Sequence, residues 1–208
     1  MKSVLISIQP KWCELIASGK KTIEVRKTKP KIDVPLKCYI YCTKPKGKND
    51  FGLCLDRGMC GNLKSIGLLY KQNYETALNM GMDILSGKVI GEFICDYITS
   101  FKAMGEVQAL WNETQSTCLS HDEIIKYADG KRLYYWHISD LVIYDKPKEL
   151  CEFLISCGDN PKCDGCEAFY YSNTECGKEE YCCSIIDGYK PIKRPPQSWC
   201  YVEGVEEK

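Results

Sequence analysis

Apolar residues come in short runs separated by polar punctuation. Val4 to Ile8 is an apolar-rich run that reads as a first strand. Trp12, Leu15 and Ile16 then recur at helical spacing, with Pro10 where a missing amide costs least and Gly19 able to take the left-handed stop, so a helix is predicted over Lys11 to Ser18. From Thr22 the pattern alternates, which puts Ile23 and Val25 toward a core and Thr22, Glu24 and Arg26 on the opposite face. Cys38 to Cys42 is predicted as another strand. Thr43 to Gly67 is rich in Lys, Gly and Asn without a sustained period and reads as a long loop, a lid over any cleft nearby.

Tyr74 to Met80 adds a helical turn or two, and Lys88 to Tyr97 is strand-like, with Gly91 marking a bulge or close approach. Ser120-His121-Asp122-Glu123 is a capping box opening a helix through Ala128, which Asp129-Gly130 ends. Leu133 to Tyr144 follows as a strand. Many strands, few short helices and no regular β-α alternation predict an α+β chain built on a mixed β-barrel rather than a doubly wound parallel sheet.

The densest chemistry lies in Gly19-Lys20-Lys21-Thr22-Ile23-Glu24-Val25-Arg26, where two cations, a carboxylate and a guanidinium follow the first helix. Glu24 and Arg26 share a strand face, and the long stem of Lys21 can reach round toward the carboxylate from the turn. On charge pattern alone, a solvated strand face carrying an ion pair is an equal reading.

Ile6-Ser7-Ile8-Gln9-Pro10, then Trp12, then Gly19-x-Lys21-x-x-Glu24-x-Arg26 resembles the signature of ASCH domains, small barrels related to the PUA fold of RNA-modifying proteins. Gly87 to Phe93 and Trp136 to Ser139 look like later strands of such barrels. The resemblance covers residues 1 to about 150 plus a last strand near 198–202, and leaves 151–190 as an insertion. It implies a cleft lined by the motif that takes RNA, a nucleotide or a modified nucleoside, with Gln9, Trp12, Lys20, Lys21, Glu24 and Arg26 as binding residues. Small bacterial members of the family hydrolyse the amide of N-acetylated cytidine with a lysine, a threonine and a glutamate. The threonine lies three residues after the lysine in those enzymes, and Glu24 stands there in this chain. The family's threonine is therefore missing and its glutamate finds no assigned counterpart; if the chain is an enzyme, the catalytic candidates are Lys21 as base and Glu24 as a proton carrier.

The chain of 208 residues is long enough for one full core plus an elaboration. No apolar run reaches membrane-span length and the opening apolar run stops at Gln9-Pro10, so the expectation is a cytoplasmic protein with no membrane partner. Net charge is zero, but it is segregated. From Lys11 to Lys48 eleven Lys or Arg face three acids, whereas from Glu149 to Cys183 eight acids face two lysines. The first field attracts phosphate and the second repels it. Trp12, Tyr39, Tyr41, Tyr134, Tyr135 and Trp136 include candidates to stack on a base, most of them packing as core. No phosphate-cradling glycine loop, nucleophile elbow or helical zinc-protease motif occurs, and two histidines do not make a histidine-rich metal centre.

Fifteen cysteines, expected to stay reduced, are the second signal. Six of them, Cys157, Cys163, Cys166, Cys176, Cys182 and Cys183, crowd a segment poor in large aliphatics. Cys163-Asp164-Gly165-Cys166 has knuckle spacing, and Cys176 with Cys182 completes a candidate structural zinc site. Cys157 or Cys183 can replace one of the four, an iron–sulfur cluster fits the same spacing, and a metal-free loop is the bland alternative. Four thiolates would leave this stretch more negative still, suiting stiffening or a protein contact rather than a grip on RNA. Three functions stay open at this point: RNA or nucleotide binding, hydrolysis of a modified nucleoside, and an adaptor built around the cysteine-rich stretch.

Overall fold

The computed structural model describes residues 2–56, 65–102, 114–156 and 189–203. The elements there include β1 (Lys2–Ile8), α1 (Pro10–Ala17), β2 (Ile23–Arg26), β3 (Leu36–Cys42), β4 (Phe51–Asp56), β5 (Ser65–Tyr70), α2 (Tyr74–Asn79), β6 (Asp83–Ile84), β7 (Val89–Lys102), α3 (His121–Ala128), β8 (Arg132–Lys148), β9 (Leu154–Ser156), β10 (Tyr189–Pro191) and β11 (Trp199–Glu203). Strands β10, β9, β11, β1, β3, β7, β8 and β2 form one mixed sheet in that order, and β5, β4 and β6 a second, smaller one.

The central strands explain why the opening run is so apolar. Val4, Ile6 and Ile8 of β1 enter one core cluster with Cys38, Ile40 and Cys42 of β3, while Leu5, Tyr39 and Tyr41 enter another on the opposite face. A strand covered on both faces has no polar side to display. Each fully buried aliphatic side chain contributes about 1.5–3 kcal/mol. The cysteines of β3 act as small hydrophobes; Cys38 and Cys42 are fully buried. Parallel pairing of β1 with β3 requires a crossover, and α1 and β2 fill it.

Local chemistry sets several boundaries. Pro10 sits in the first turn of α1, and Gly19, at φ 73°, lets the chain turn out of it into β2. Ser120 Oγ accepts from the Glu123 amide while Glu123 Oε2 accepts from the Ser120 amide, and Asp129 ends α3 in the left-handed region. The β3–β7 ladder slips between Ile40 and Tyr41, beside Gly91.

Three expectations need correction. The loop expected over Thr43 to Gly67 contains β4 and much of β5, whose ladder runs from Phe51 opposite Tyr70 to Asp56 opposite Ser65. The Lys- and Gly-rich composition of its first half masked a short apolar strand whose inner residues, Leu53 and Leu55, join the main core. Second, no ladder joins the sheet ends β2 and β10 among the described residues, so the sheet-rich α+β architecture is present without a closed hydrogen-bonded barrel. Third, the solvated reading of the β2 face fails, because all four residues of β2 are buried.

The cysteine-rich stretch expected over 151–190 begins and ends in the main sheet, where Leu154 opposes Pro191 and Ser156 opposes Tyr189. Residues 157–188 between these strands, including Cys163, Cys166, Cys176 and Cys182, lie outside the described residues.

Candidate functional site

Ile23 and Val25 of β2 pack against Ile124 and Ala128 of α3 together with Leu133 and Tyr135 of β8. Strand alternation therefore turns Glu24 and Arg26 the other way, toward β1. Arg26 Nη2 donates to the Ser7 carbonyl of β1 at 2.6 Å and pairs with Glu24 Oε1 at 2.9 Å, while Nη1 approaches Ser198 Oγ at 3.4 Å. One guanidinium thus spans the seam between β2, β1 and the entry to β11, joining by side chain what no ladder joins by backbone.

Lys21 completes the network from the turn after α1. It is only 2 % exposed, and its Nζ donates to the Ile23 and Thr117 carbonyls, both at 2.7 Å, and lies 3.3 Å from Glu24 Oε2. Three acceptors surround a group that, as ammonium, has three donors. Glu24, 5 % exposed, is therefore clamped between a lysine on one oxygen and an arginine on the other. Arg26 Nε has no acceptor among the described residues.

The network forms the base of an open cleft of about 790 Å³. Its walls include Trp12 of α1, Tyr127 of α3 and the segment Pro196–Gln197, and its rim carries Lys44, Lys46 and Lys126. These three lysines make no ion pair among the described residues. Ser7 ties the C-terminal wall to the base, since its Oγ donates to the Pro196 carbonyl at 2.7 Å. Glu123, the carboxylate on the α3 side, is held below the usual carboxylate range by the Ser120 amide and hydroxyl of its capping box.

Of the residues read from the sequence, Gln9, Trp12, Lys21, Glu24 and Arg26 line this cleft and Lys20 does not. Trp12 is half-buried against the main core and lies beneath the ammonium groups of Lys11 at 4.5 Å and Lys21 at 5.3 Å. Tyr39, Tyr41, Tyr135 and Trp136 are buried in the core and cannot stack on a ligand. The sequence reading missed Tyr127, Lys126, Pro196 and Gln197, which reach the cleft from elements far along the chain. Tyr127 carried a weak signal: one position before the buried Ala128, it falls on the flank of an amphipathic helix.

The family model of the ASCH domain matches residues 6–145, well over half of the chain and including every member of the buried network. The chain belongs to the ASCH domain family. Its fold is similar to the crystal structure of ASCH from Zymomonas mobilis, with 18 % identity and a TM-score of 0.50 over 97 % of this chain and 87 % of that one. A serine-to-alanine variant of the same Zymomonas mobilis protein gives 17 % identity and a TM-score of 0.51, over 97 % and 88 % of the two chains. At such identity the likeness is one of fold, and it fits the PUA-like placement of ASCH domains. No curated protein matches the chain. No helix among the described residues is long and apolar enough to cross a membrane.

Proposed function

We propose that the ASCH domain binds a nucleotide unit, free or within RNA, in the cleft above Lys21, Glu24 and Arg26. The observation that carries this is the buried cation–carboxylate–cation network at the base of a lysine-rimmed cleft. Burying three charges costs several kcal/mol per ion before pairing returns any of it, and an apolar seam would hold the strands together as well. A buried ion network is weak as a source of stability and well suited to fixing side chains in one geometry. Here it fixes the guanidinium of Arg26 at a seam where its fork can meet a phosphate or base edge, and Nε is a donor still short of an acceptor. Trp12 and Tyr127 supply apolar wall for a base, and Lys44, Lys46 and Lys126 supply mobile charge for phosphate.

In this reading Lys21 is a positioning residue. Its contacts speak for binding over hydrolysis of an N-acylated cytidine, because a general base needs a free lone pair and the Lys21 nitrogen is ringed by acceptors. Calorimetric titration with the four ribonucleoside monophosphates at low salt tests the proposal. The parent should bind at least one, and Arg26→Lys should lose most of that affinity; equal binding by the variant would end it. Turnover of N4-acetylcytidine that disappears in Lys21→Ala would instead favour the hydrolase.

The candidate zinc site at Cys163, Cys166, Cys176 and Cys182 is a separate proposal, as is its use as a contact for a protein partner. Elemental analysis should find one zinc per chain, and Cys163→Ser with Cys166→Ser should remove it. A metal-free parent would dismiss the site. Deletion of 157–183 should leave nucleotide binding intact if that stretch serves another partner.

A further inference from the structure

A second cavity of about 640 Å³ shares Lys44 with the first as a lining residue. Four lysines, Lys44, Lys71, Lys88 and Lys146, face a single lining carboxylate, Asp83. Lys88 is engaged by Glu149 at 3.1 Å, while Lys44 and Lys146 make no ion pair among the described residues. The walls are apolar, with Leu78, Ile84 and Pro147, and Leu78 is 57 % exposed. Among the described residues Lys44 is the one that lines both cavities, and its stem lies against the bare backbone of Gly87, where a Cβ would come 2.4 Å from its Cε. A free mononucleotide fills one such cavity and has no use for the second. A chain of phosphates would meet Lys126 and Lys46 in the first cavity, Lys44 between, and Lys71 and Lys146 in the second, with apolar wall for a base at either end.

Resting on the cleft reading above, we propose that the ligand is a single-stranded polynucleotide that continues from the Arg26 cleft across Lys44 into this second cavity. The test compares uridine monophosphate with oligouridylates of increasing length, on the full chain and on the exposed pair Lys71→Glu/Lys146→Glu, with circular dichroism and thermal melting as folding controls. Affinity should rise at least tenfold from monomer to a short oligomer. The double variant should erase that rise and leave monophosphate binding within twofold. The salt slope of oligomer binding should also flatten by at least about 1.4, the contribution of two neutralised phosphates on a single strand. Monophosphate binding without gain on lengthening, or a gain the variant keeps, overturns the extension and leaves the cleft reading standing. Oligomer binding that depends on Lys71 and Lys146 but ignores Arg26→Lys has the opposite meaning, sinking the cleft reading and with it a strand threaded through both cavities. Equal competition by poly-glutamate would reduce the second cavity to an unspecific polyanion surface, and no binding of any probe at low salt would refute both.

Discussion

The two sets of charges around the cleft are made of similar residues and do opposite work. At the base, Lys21, Glu24 and Arg26 are each less than a tenth exposed and contact one another and backbone carbonyls at fixed distances. At the rim, Lys44, Lys46 and Lys126 are exposed and unpaired among the described residues. The second set lies in water, so its attraction for phosphate is weakened and short-ranged and fades further with salt. The first set is shielded from salt and holds shape. Charge count along a sequence merges the two; burial separates them.

The strongest way to break this contrast is Glu24→Ala. Removing the carboxylate leaves two buried cations without their shared counter-ion, and the expected loss of folding stability is about 3–5 kcal/mol by urea denaturation. A surface replacement such as Lys46→Ala should stay within about 0.5 kcal/mol. Similar losses for the two would mean that the base is solvated and that the distinction is empty.

Arg26→Lys sharpens the same contrast by keeping the charge and removing the fork. A lysine cannot reach Glu24 Oε1, the Ser7 carbonyl and Ser198 together, so stability should fall by about 1–3 kcal/mol. Ligand affinity should fall by more than tenfold with little change in salt slope. The rim behaves in the reverse sense. Lys44→Gln/Lys46→Gln/Lys126→Gln should leave the urea midpoint nearly unmoved and flatten the salt slope for a single strand by about 2, the sum for three phosphate contacts.

Sequence made the members of the base legible but not their environment. The spacing of Lys21, Glu24 and Arg26 singled them out, and alternation placed Glu24 with Arg26. Nothing local revealed that their face is covered, because the cover comes from Ser7, Thr117 and Ser198, up to 172 positions away from Arg26. Short-range signals fared well where the physics is short-range: Pro10, the Ser120 capping box and the Asp129 stop all sit at the helix ends they announce. They failed for β4, where two pairs with partners on both sides decided a strand that its polar flanks disguised. The wall residues Tyr127 and Gln197 were invisible for the same reason as the cover: their position is a property of the assembled sheet.

Between the two regimes lies Glu92, and it provides the gentlest test of the rule that burial decides what a charge does. Its carboxylate accepts from Lys37 Nζ at 2.7 Å and from the Tyr144 hydroxyl at 2.5 Å, in a side chain 19 % exposed. Burial pushes its pKa up, but the Lys37 and Tyr144 hydrogen bonds outweigh that push and hold it below the ordinary carboxylate value. A carboxyl with a folded pKa below its unfolded one stabilises the fold above the unfolded value, near 4.3, and surrenders that contribution as pH falls through the folded value. Glu92→Gln should therefore lower the melting temperature slightly at neutral pH, by the equivalent of about 0.5–1 kcal/mol, and converge on the parent in acid below the folded pKa. Because Lys37 is 39 % exposed, added salt should shrink the neutral-pH difference. Were the difference instead to match that of Glu24→Ala and ignore salt, partial exposure would have no bearing on the strength of a charge pair in this fold, and the contrast between base and rim would lose its physical ground.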